Sequence, residues 1–222
     1  GNDVLMVSGS DQHGTPITVR AEQEGVTPAE VAKRWHEDFL ESWRRMGISF
    51  DLFTRTGTEN HYRVAQSIFN DLKGKGYIYP DKMTMLYCEK CSRFLPDRYV
   101  NGICPYCKAA TRGDQCDNCG KPLTPMELIE PKCKHCQCAP KARETEHFFL
   151  KLSAFGDELT KWVAGQEHWR AHVKNFTLGF LKEGLKDRAI TRDIDWGVPV
   201  PVPGFEDKRI YVWFEAVIGY LS

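Results

Sequence analysis

Residues 3–8, Asp-Val-Leu-Met-Val-Ser, are a short apolar run closed by Gly9, the pattern of a buried strand in a parallel sheet. A polar loop, Gly9 to Pro16, follows at the strand's carboxyl end, where open α/β sheets bind ligands. Ile17 to Gly25 reads as a short helix ended by its glycine. Thr27-Pro28-Ala29-Glu30 carries a cap, a first-turn proline and a capping-box acid. The helix it starts has Val31, Trp35, Phe39 and Trp43 on one stripe and stops at Gly47. A further helix is predicted from Glu59 to Lys73, with Tyr62, Ala65, Ile68, Phe69 and Leu72 inward and Gly74 and Gly76 beyond its end. Residues 80–140 lack long apolar periods and are rich in Gly, Pro, Lys and Asp. Periodicity then returns. His147 to Leu152 reads as a strand, and Ser153 caps a helix running to Ala164. A helix over 168–185 carries Trp169, Val173, Phe176 and Phe180 on one side. After the proline-marked stretch Thr191 to Pro201, Arg209 to Trp213 reads as a last strand before a helix start.

The composition, 41% hydrophobic and 27% charged, is that of a globular chain able to bury a normal core. No apolar run is long enough to span a membrane, and no signal peptide is visible. Net charge is zero, so the whole chain is not an electrostatic nucleic-acid binder. The chain opens on Gly1 directly into the apolar run and stops just after Tyr211-Val212-Trp213-Phe214. Both ends are therefore expected to lie inside structure, as in an excised piece of a longer protein.

The middle of the chain changes this picture. Eight of nine cysteines form four Cys-x-x-Cys pairs: Cys88/Cys91, Cys104/Cys107, Cys116/Cys119 and Cys133/Cys136. Each pair lets a tight turn offer two thiolates to one ion, so four pairs supply two closed, structural Zn2+ sites. Paired motifs of this kind in a larger chain favour metal in a reducing cytoplasm over disulfides. The two inner pairs flank a short loop with Gly113 and should share one ion, leaving the outer pairs to share the second. Pairing first with second and third with fourth is the less compact alternative. Cys138 is left over, and it or His135 is an alternative outer ligand. Two divalent ions on eight thiolates carry a net charge of about −4, which the surrounding lysines and arginines offset. These bases solvate the knuckles or, in a sharper reading, touch RNA phosphate. A segment so poor in apolar periods needs metal for much of its folding free energy.

Several stretches then resemble one family in its own order. Gly9-Ser10-Asp11-Gln12-His13-Gly14-Thr15 is similar to the Asp-x-His-Gly-Thr loop of methionyl-tRNA synthetases. Phe94-Leu95-Pro96-Asp97-Arg98-Tyr99-Val100, Gly102 and Cys104-Pro105-x-Cys107 resemble the start of that family's zinc knuckle, and Leu123 to Leu128 the stretch after it. Thr191-Arg192-Asp193 and Tyr211 to Tyr220 resemble the return into the class I catalytic domain. Glu215 stands where the family often has Asp, and Val217 where it often has Pro.

The resemblance implies an α/β fold: parts of a Rossmann-like class I catalytic domain, interrupted by an α+β connective insertion with two zinc knuckles. It implies catalytic-domain residues 1–57, an insertion over 58–206 with knuckles at about 88–138, and a return over 207–222. The implied reaction activates methionine with ATP and Mg2+, then transfers it to tRNA(Met) in the cytoplasm. Asp11 would hold the methionine ammonium, and Trp213, Val217 and Tyr220 would line its side-chain pocket. Arg192 would serve catalysis near the nucleotide phosphates, unless it forms a structural ion pair with Asp193 or Asp195. His13 is read as a brace for the loop. The HIGH- and KMSKS-type ATP motifs do not occur in the sequence, so this piece alone is expected to be inactive. Two rivals stand beside this reading. One is a zinc-ribbon module that binds nucleic acid or protein. The other is a class I synthetase for isoleucine, leucine or valine, which carries a larger editing insertion in place of knuckles.

Overall fold

The computed structural model describes residues 3–222. Strand β1 (Val7–Ser10) leads into helices α1 (Thr15–Glu24) and α2 (Pro28–Arg45), then β2 (Leu52–Arg55) and α3 (Glu59–Gly74). The central excursion holds β3 (Ile78–Cys88), β4 (Arg93–Phe94), β5 (Val100–Ile103), β6 (Ala110–Arg112), β7 (Ile129–Cys133) and β8 (Lys141–Leu150). Helices α4 (Gly156–Ala164) and α5 (Ala171–Lys182) follow, then β9 (Arg188–Ala189), β10 (Thr191–Arg192), β11 (Arg209–Ile210) and α6 (Val212–Ala216).

The expected parallel strand exists, but it begins at Val7, takes Gly9 and Ser10 from the predicted loop, and is not the buried strand its apolar run predicts: Val4 to Val7 are exposed and only Ser10 is covered. It pairs in parallel with β2, Val7 opposite Leu52 and Ser10 opposite Arg55. Helix α2 starts as its sequence dictates: Thr27 Oγ1 accepts the Glu30 N–H and the Glu30 carboxylate accepts the Thr27 N–H. Its buried side differs from the predicted stripe. Val31, Ala32 and His36 are buried, whereas Trp35 and Phe39 stay exposed. The cause is β2, whose Phe53 stacks on the His36 ring and draws that face inward.

The excursion is better built than its composition suggests. β3 and β8 form a long antiparallel ribbon, in register from Ile78↔Leu150 to Tyr87↔Lys141. In β3 the stretch Pro80 to Lys82 is exposed while both ends of the strand are buried; across from it in β8, His147 and Phe148 are covered. Such a strand shows no apolar alternation, which is why Pro80-Asp81-Lys82 reads as loop. At one end Ile78 and Phe148 join a core with Ala65, Phe69, Ile190, Val198, Ile210 and Ile218. At the other, Leu86 and Cys88 join a second core with Leu95, Tyr99, Val100, Leu128 and Cys133. The knuckle thus has an apolar centre of its own, four of whose ten buried residues are cysteines.

Three late elements also differ from the periodicity. Ser153 does not cap α4; its N–H donates to Asp187 Oδ1 at 3.0 Å, and the helix begins at Gly156 after a 3-10 turn. The apolar side of α5 carries Val173, Phe176 and Phe180 as predicted, but faces solvent. The last strand ends at Ile210, and Trp213 lies in α6 because Tyr211 starts a helix there. No helix among the described residues is long and apolar enough to cross a membrane.

Candidate functional site

The cysteines assemble as the compact pairing requires. Cys88, Cys91, Cys133 and Cys136 form one group; Cys104, Cys107, Cys116 and Cys119 form the other. In each, the four sulfurs lie within 4.8 Å of one another. The nearest approaches are 3.4 Å for Cys88–Cys136, 3.5 Å for Cys107–Cys116, and 3.9 Å for Cys91–Cys133 and Cys104–Cys119. A disulfide needs about 2.05 Å, so all eight are free thiols. Four thiolates at about 2.3 Å from a tetrahedral ion stand about 3.8 Å apart. The cages therefore fit a metal of zinc's size.

One local device repeats at every pair. The residue after the second cysteine has positive φ: Ser92 52°, Lys108 63°, Gly120 70° and Gln137 60°. Only one of the four is glycine. That left-handed residue turns the next N–H back toward sulfur. The Ala109 N–H on Cys107 and the Cys138 N–H on Cys136 pull those thiols down to about 6. Cys91 is pushed up to about 12, by burial and then by its thiol neighbours Cys136, Cys88 and Cys133. Four thiolates this close repel one another, and a cation between them would let all four ionise. The left-over Cys138 is exposed; its thiol donates to the Cys136 carbonyl at 3.6 Å, and its N–H serves the cage.

The second site forms where the chain's ends meet. Asp11 is open to solvent and accepts the His13 N–H on Oδ1 at 3.3 Å. Its carboxyl is raised, first by desolvation and further by the charge of Glu215. The Asp11 loop is pinned from behind: Gln12 donates its N–H to Thr56 Oγ1 at 3.0 Å, and Trp196 Nε1 donates to the Gln12 carbonyl at 2.7 Å. Trp213 (74% exposed), Val217 (63%) and Tyr220 (90%) stand free on α6 and the 3-10 turn after it, Val217–Leu221.

Between them lies a buried carboxylate that pattern reading left without a role. Glu215 has no exposure. Its Oε1 accepts from His13 Nδ1 at 2.9 Å, and its Oε2 from His61 Nε2 at 2.5 Å. His13 Nε2 then faces the Tyr62 hydroxyl at 3.1 Å. Burial alone would raise the Glu215 carboxyl; the hydrogen bonds from His13 and His61 outweigh it and hold the group below the usual carboxylate range. His61 is placed by Thr58, whose Oγ1 accepts the His61 N–H at 3.2 Å at the start of α3. A signal for it did exist. His61, Ala65 and Phe69 recur every four residues on the buried side of α3, so a histidine on that stripe must have a buried partner.

Arg192 sits apart from this cluster. Its Nη1 donates to the Ala189 and Thr191 carbonyls at 2.9 and 2.8 Å, and its guanidinium lies 3.8 Å from the centre of the Tyr211 ring. Burial lowers the guanidinium below its ordinary value, and the charge of Asp97, from the knuckle side, offsets part of that. The neighbouring Asp193 is engaged elsewhere. It accepts from His147 Nε2 and Thr145 Oγ1, each at 3.0 Å, and pairs with buried Lys208. Helix α1 carries the Asp11 loop onto the knuckle, where Tyr99 donates to Thr18 Oγ1 at 2.9 Å and Arg93 pairs with Glu22 at 2.6 Å.

A mixed sheet fold, a ligand loop at a strand end and two thiol cages on an excursion are features of class I aminoacyl-tRNA synthetases, and the comparisons agree. The family model described as tRNA synthetases class I (M) matches residues 1–222, so the chain belongs to that family, the methionyl-tRNA synthetases. It is 65% identical to the methionine--tRNA ligase of Dehalococcoides mccartyi over 223 residues, covering 100% of this chain and 40% of that protein. The Thermomicrobium roseum enzyme is 58% identical, with 100% and 38% covered. Among solved structures, the Mycobacterium tuberculosis methionyl-tRNA synthetase bound by methionyl-adenylate matches with a TM-score of 0.69 and 25% identity, over 99% of this chain and 39% of that one. The chain thus spans about 40% of the length of the curated relatives it matches.

Proposed function

We propose that this chain supplies the methionine-recognition loop and the zinc-stiffened connective region of a methionine--tRNA ligase, which acts on methionine, ATP with Mg2+, and tRNA(Met) in the cytoplasm. The observation that carries the reading is the contact of His13 with Glu215 at 2.9 Å. It ties the segment that carries Asp11, two residues before His13, to the segment that carries Trp213 and Val217, two residues either side of Glu215. A carboxylate beside an apolar, aromatic surface suits an amino acid with a charged ammonium and a thioether side chain. Asp11 holds the ammonium, and Trp213, Val217 and Tyr220 close on the side chain. Arg192 has less support as a phosphate ligand, since Nη1 is already committed to two carbonyls. Each thiol cage holds one Zn2+, which supplies rigidity and no open coordination position. The division into 1–57, 58–206 and 207–222 belongs to the same reading. So does inactivity of the 222-residue chain by itself, because it lacks both ATP motifs.

The test is methionine-dependent ATP–pyrophosphate exchange by a synthetase of the relatives' full length carrying this segment. Asp11→Asn should raise the methionine KM by roughly a hundredfold, as expected for loss of a charge-assisted contact. An unchanged KM refutes the assignment of Asp11. Metal analysis should return two zinc ions per chain.

A further inference from the structure

We infer that Glu215 is the positioning residue of the methionine pocket: through His13 and His61 it locks α6, which bears Trp213, and the 3-10 turn that starts at Val217 to the loop bearing Asp11. The inference rests on the reading of Asp11 and α6 given above.

Three observations converge on it. Glu215, His13 and His61 are all buried almost completely, and both carboxylate oxygens are used. The three residues come from three separate segments, with sequence separations of 202 and 154 residues to Glu215. No backbone ladder joins α6 to the Asp11 loop, since β1 pairs with β2 and β10 with β11. The side-chain bridge is therefore a direct, hydrogen-bonded tie between the two halves of the pocket. Its length matters as well. Glu215 spans both imidazoles, and an Asp there, one methylene shorter, is the variant that tests whether both contacts are needed. The free-standing Trp213 and Val217 then inherit their position from a carboxylate that is itself shielded from solvent. A pocket built this way is sensitive to small shifts, because a positioning contact acts on geometry at the reacting end.

The experiment compares Glu215→Gln, Glu215→Asp and Tyr62→Phe in the full-length synthetase, by exchange kinetics with methionine and ATP varied separately. A pocket-positioning role predicts a methionine KM raised roughly tenfold or more in Glu215→Gln, with the ATP KM within about twofold. Glu215→Asp should fall between wild type and Gln. Tyr62→Phe, which removes only the hydroxyl facing His13 Nε2, should give a smaller rise confined to methionine. Equal increases in both KM values, or an unchanged methionine KM in Glu215→Gln, overturn the inference. If Glu215→Gln does not fold, Tyr62→Phe decides, and an unchanged methionine KM there overturns it. The Asp11→Asn result separates the two levels. If Asp11→Asn weakens methionine and Glu215→Gln does not, the lock fails while the site stands. If neither does, the site itself is misassigned.

Discussion

The thiol cages and the Glu215 bridge perform the same task by opposite means. Each fixes segments that lack an extensive sheet or core between them. The inner cage closes a hairpin over sixteen residues, Cys104 to Cys119, and the outer one joins β3 to β7. The bridge joins residues up to 202 apart. The cages are local, repeated and bound to an ion whose affinity sits largely outside the fold. The bridge is unique, assembled by everything around it, and depends on burial to make its hydrogen bonds strong. A local device tolerates a poor surrounding core; a long-range one requires a good one. The structure agrees, since Glu215 sits beside a core without cysteines, through Phe214 and Ile218, whereas four of the ten buried residues of the knuckle core are the cage cysteines themselves.

Metal removal should separate the two regions most sharply. Structural zinc is worth about 10 kcal/mol or more to a small knuckle. A chelator should therefore abolish amide protection in residues 86–138 while Phe69, Phe148 and Ile190 stay protected, as read by hydrogen exchange. Loss of protection in both cores together would show that the knuckle is not an independent unit. Within the cages, Cys133→Ser should cost more than Cys119→Ser, because Cys133 lies in the apolar core and Cys119 is exposed. Each should reduce zinc from two ions to one.

Breaking the bridge should cost less. Glu215→Ala leaves two buried imidazole donors without partners, a loss of about 3–5 kcal/mol, measurable as a shift in urea midpoint with an unchanged slope. The same bridge predicts acid sensitivity. The Glu215 carboxyl is held below its ordinary 4.5, and that of Asp193 below its ordinary 3.8. A depressed carboxyl stabilises the fold above its unfolded value, and this contribution is lost as pH falls through the folded one. Stability should thus be flat from neutrality to about pH 4.5 on their account and fall below it. Asp11 runs the other way: its raised carboxyl makes the ionised form costly near neutrality. Asp11→Asn should stabilise the chain slightly at pH 7, as groups kept for function often do when removed.

The smallest effect belongs to the knuckle turns. Ser92 occupies a left-handed conformation at φ 52°. Ser92→Gly should relieve roughly 0.5–1 kcal/mol of backbone strain, and Gly120→Ala should impose a similar cost. Equal melting temperatures for both variants would mean that metal binding, not the turn, sets that conformation.

The legible parts of this protein share one property: their information is short-range. The capping box at Thr27, the three-residue spacing of the thiols and the nested pairing of the cages all follow from neighbours within a few tens of residues. The β3–β8 ribbon was hidden because Pro80 to Lys82 of β3 and Lys141 to Glu144 of β8 are exposed, and periodicity reports burial rather than pairing. Trp35 and Phe39 misled for the converse reason, an apolar stripe that finds no cover. His61 could have been suspected from its place on the α3 stripe, but its partner could not, since nothing along the chain links position 61 to position 215.

By itself the sequence determined the thiol cages, the helix starts and the family, because each is written in spacing or in ordered motifs. Tertiary structure alone decided that Glu215 would bind two histidines, that Arg192 would stack on Tyr211, and that the Asp11 loop would meet α6. Those outcomes depend on which buried polar groups must satisfy one another once distant segments pack, and that requirement exists only in the folded molecule.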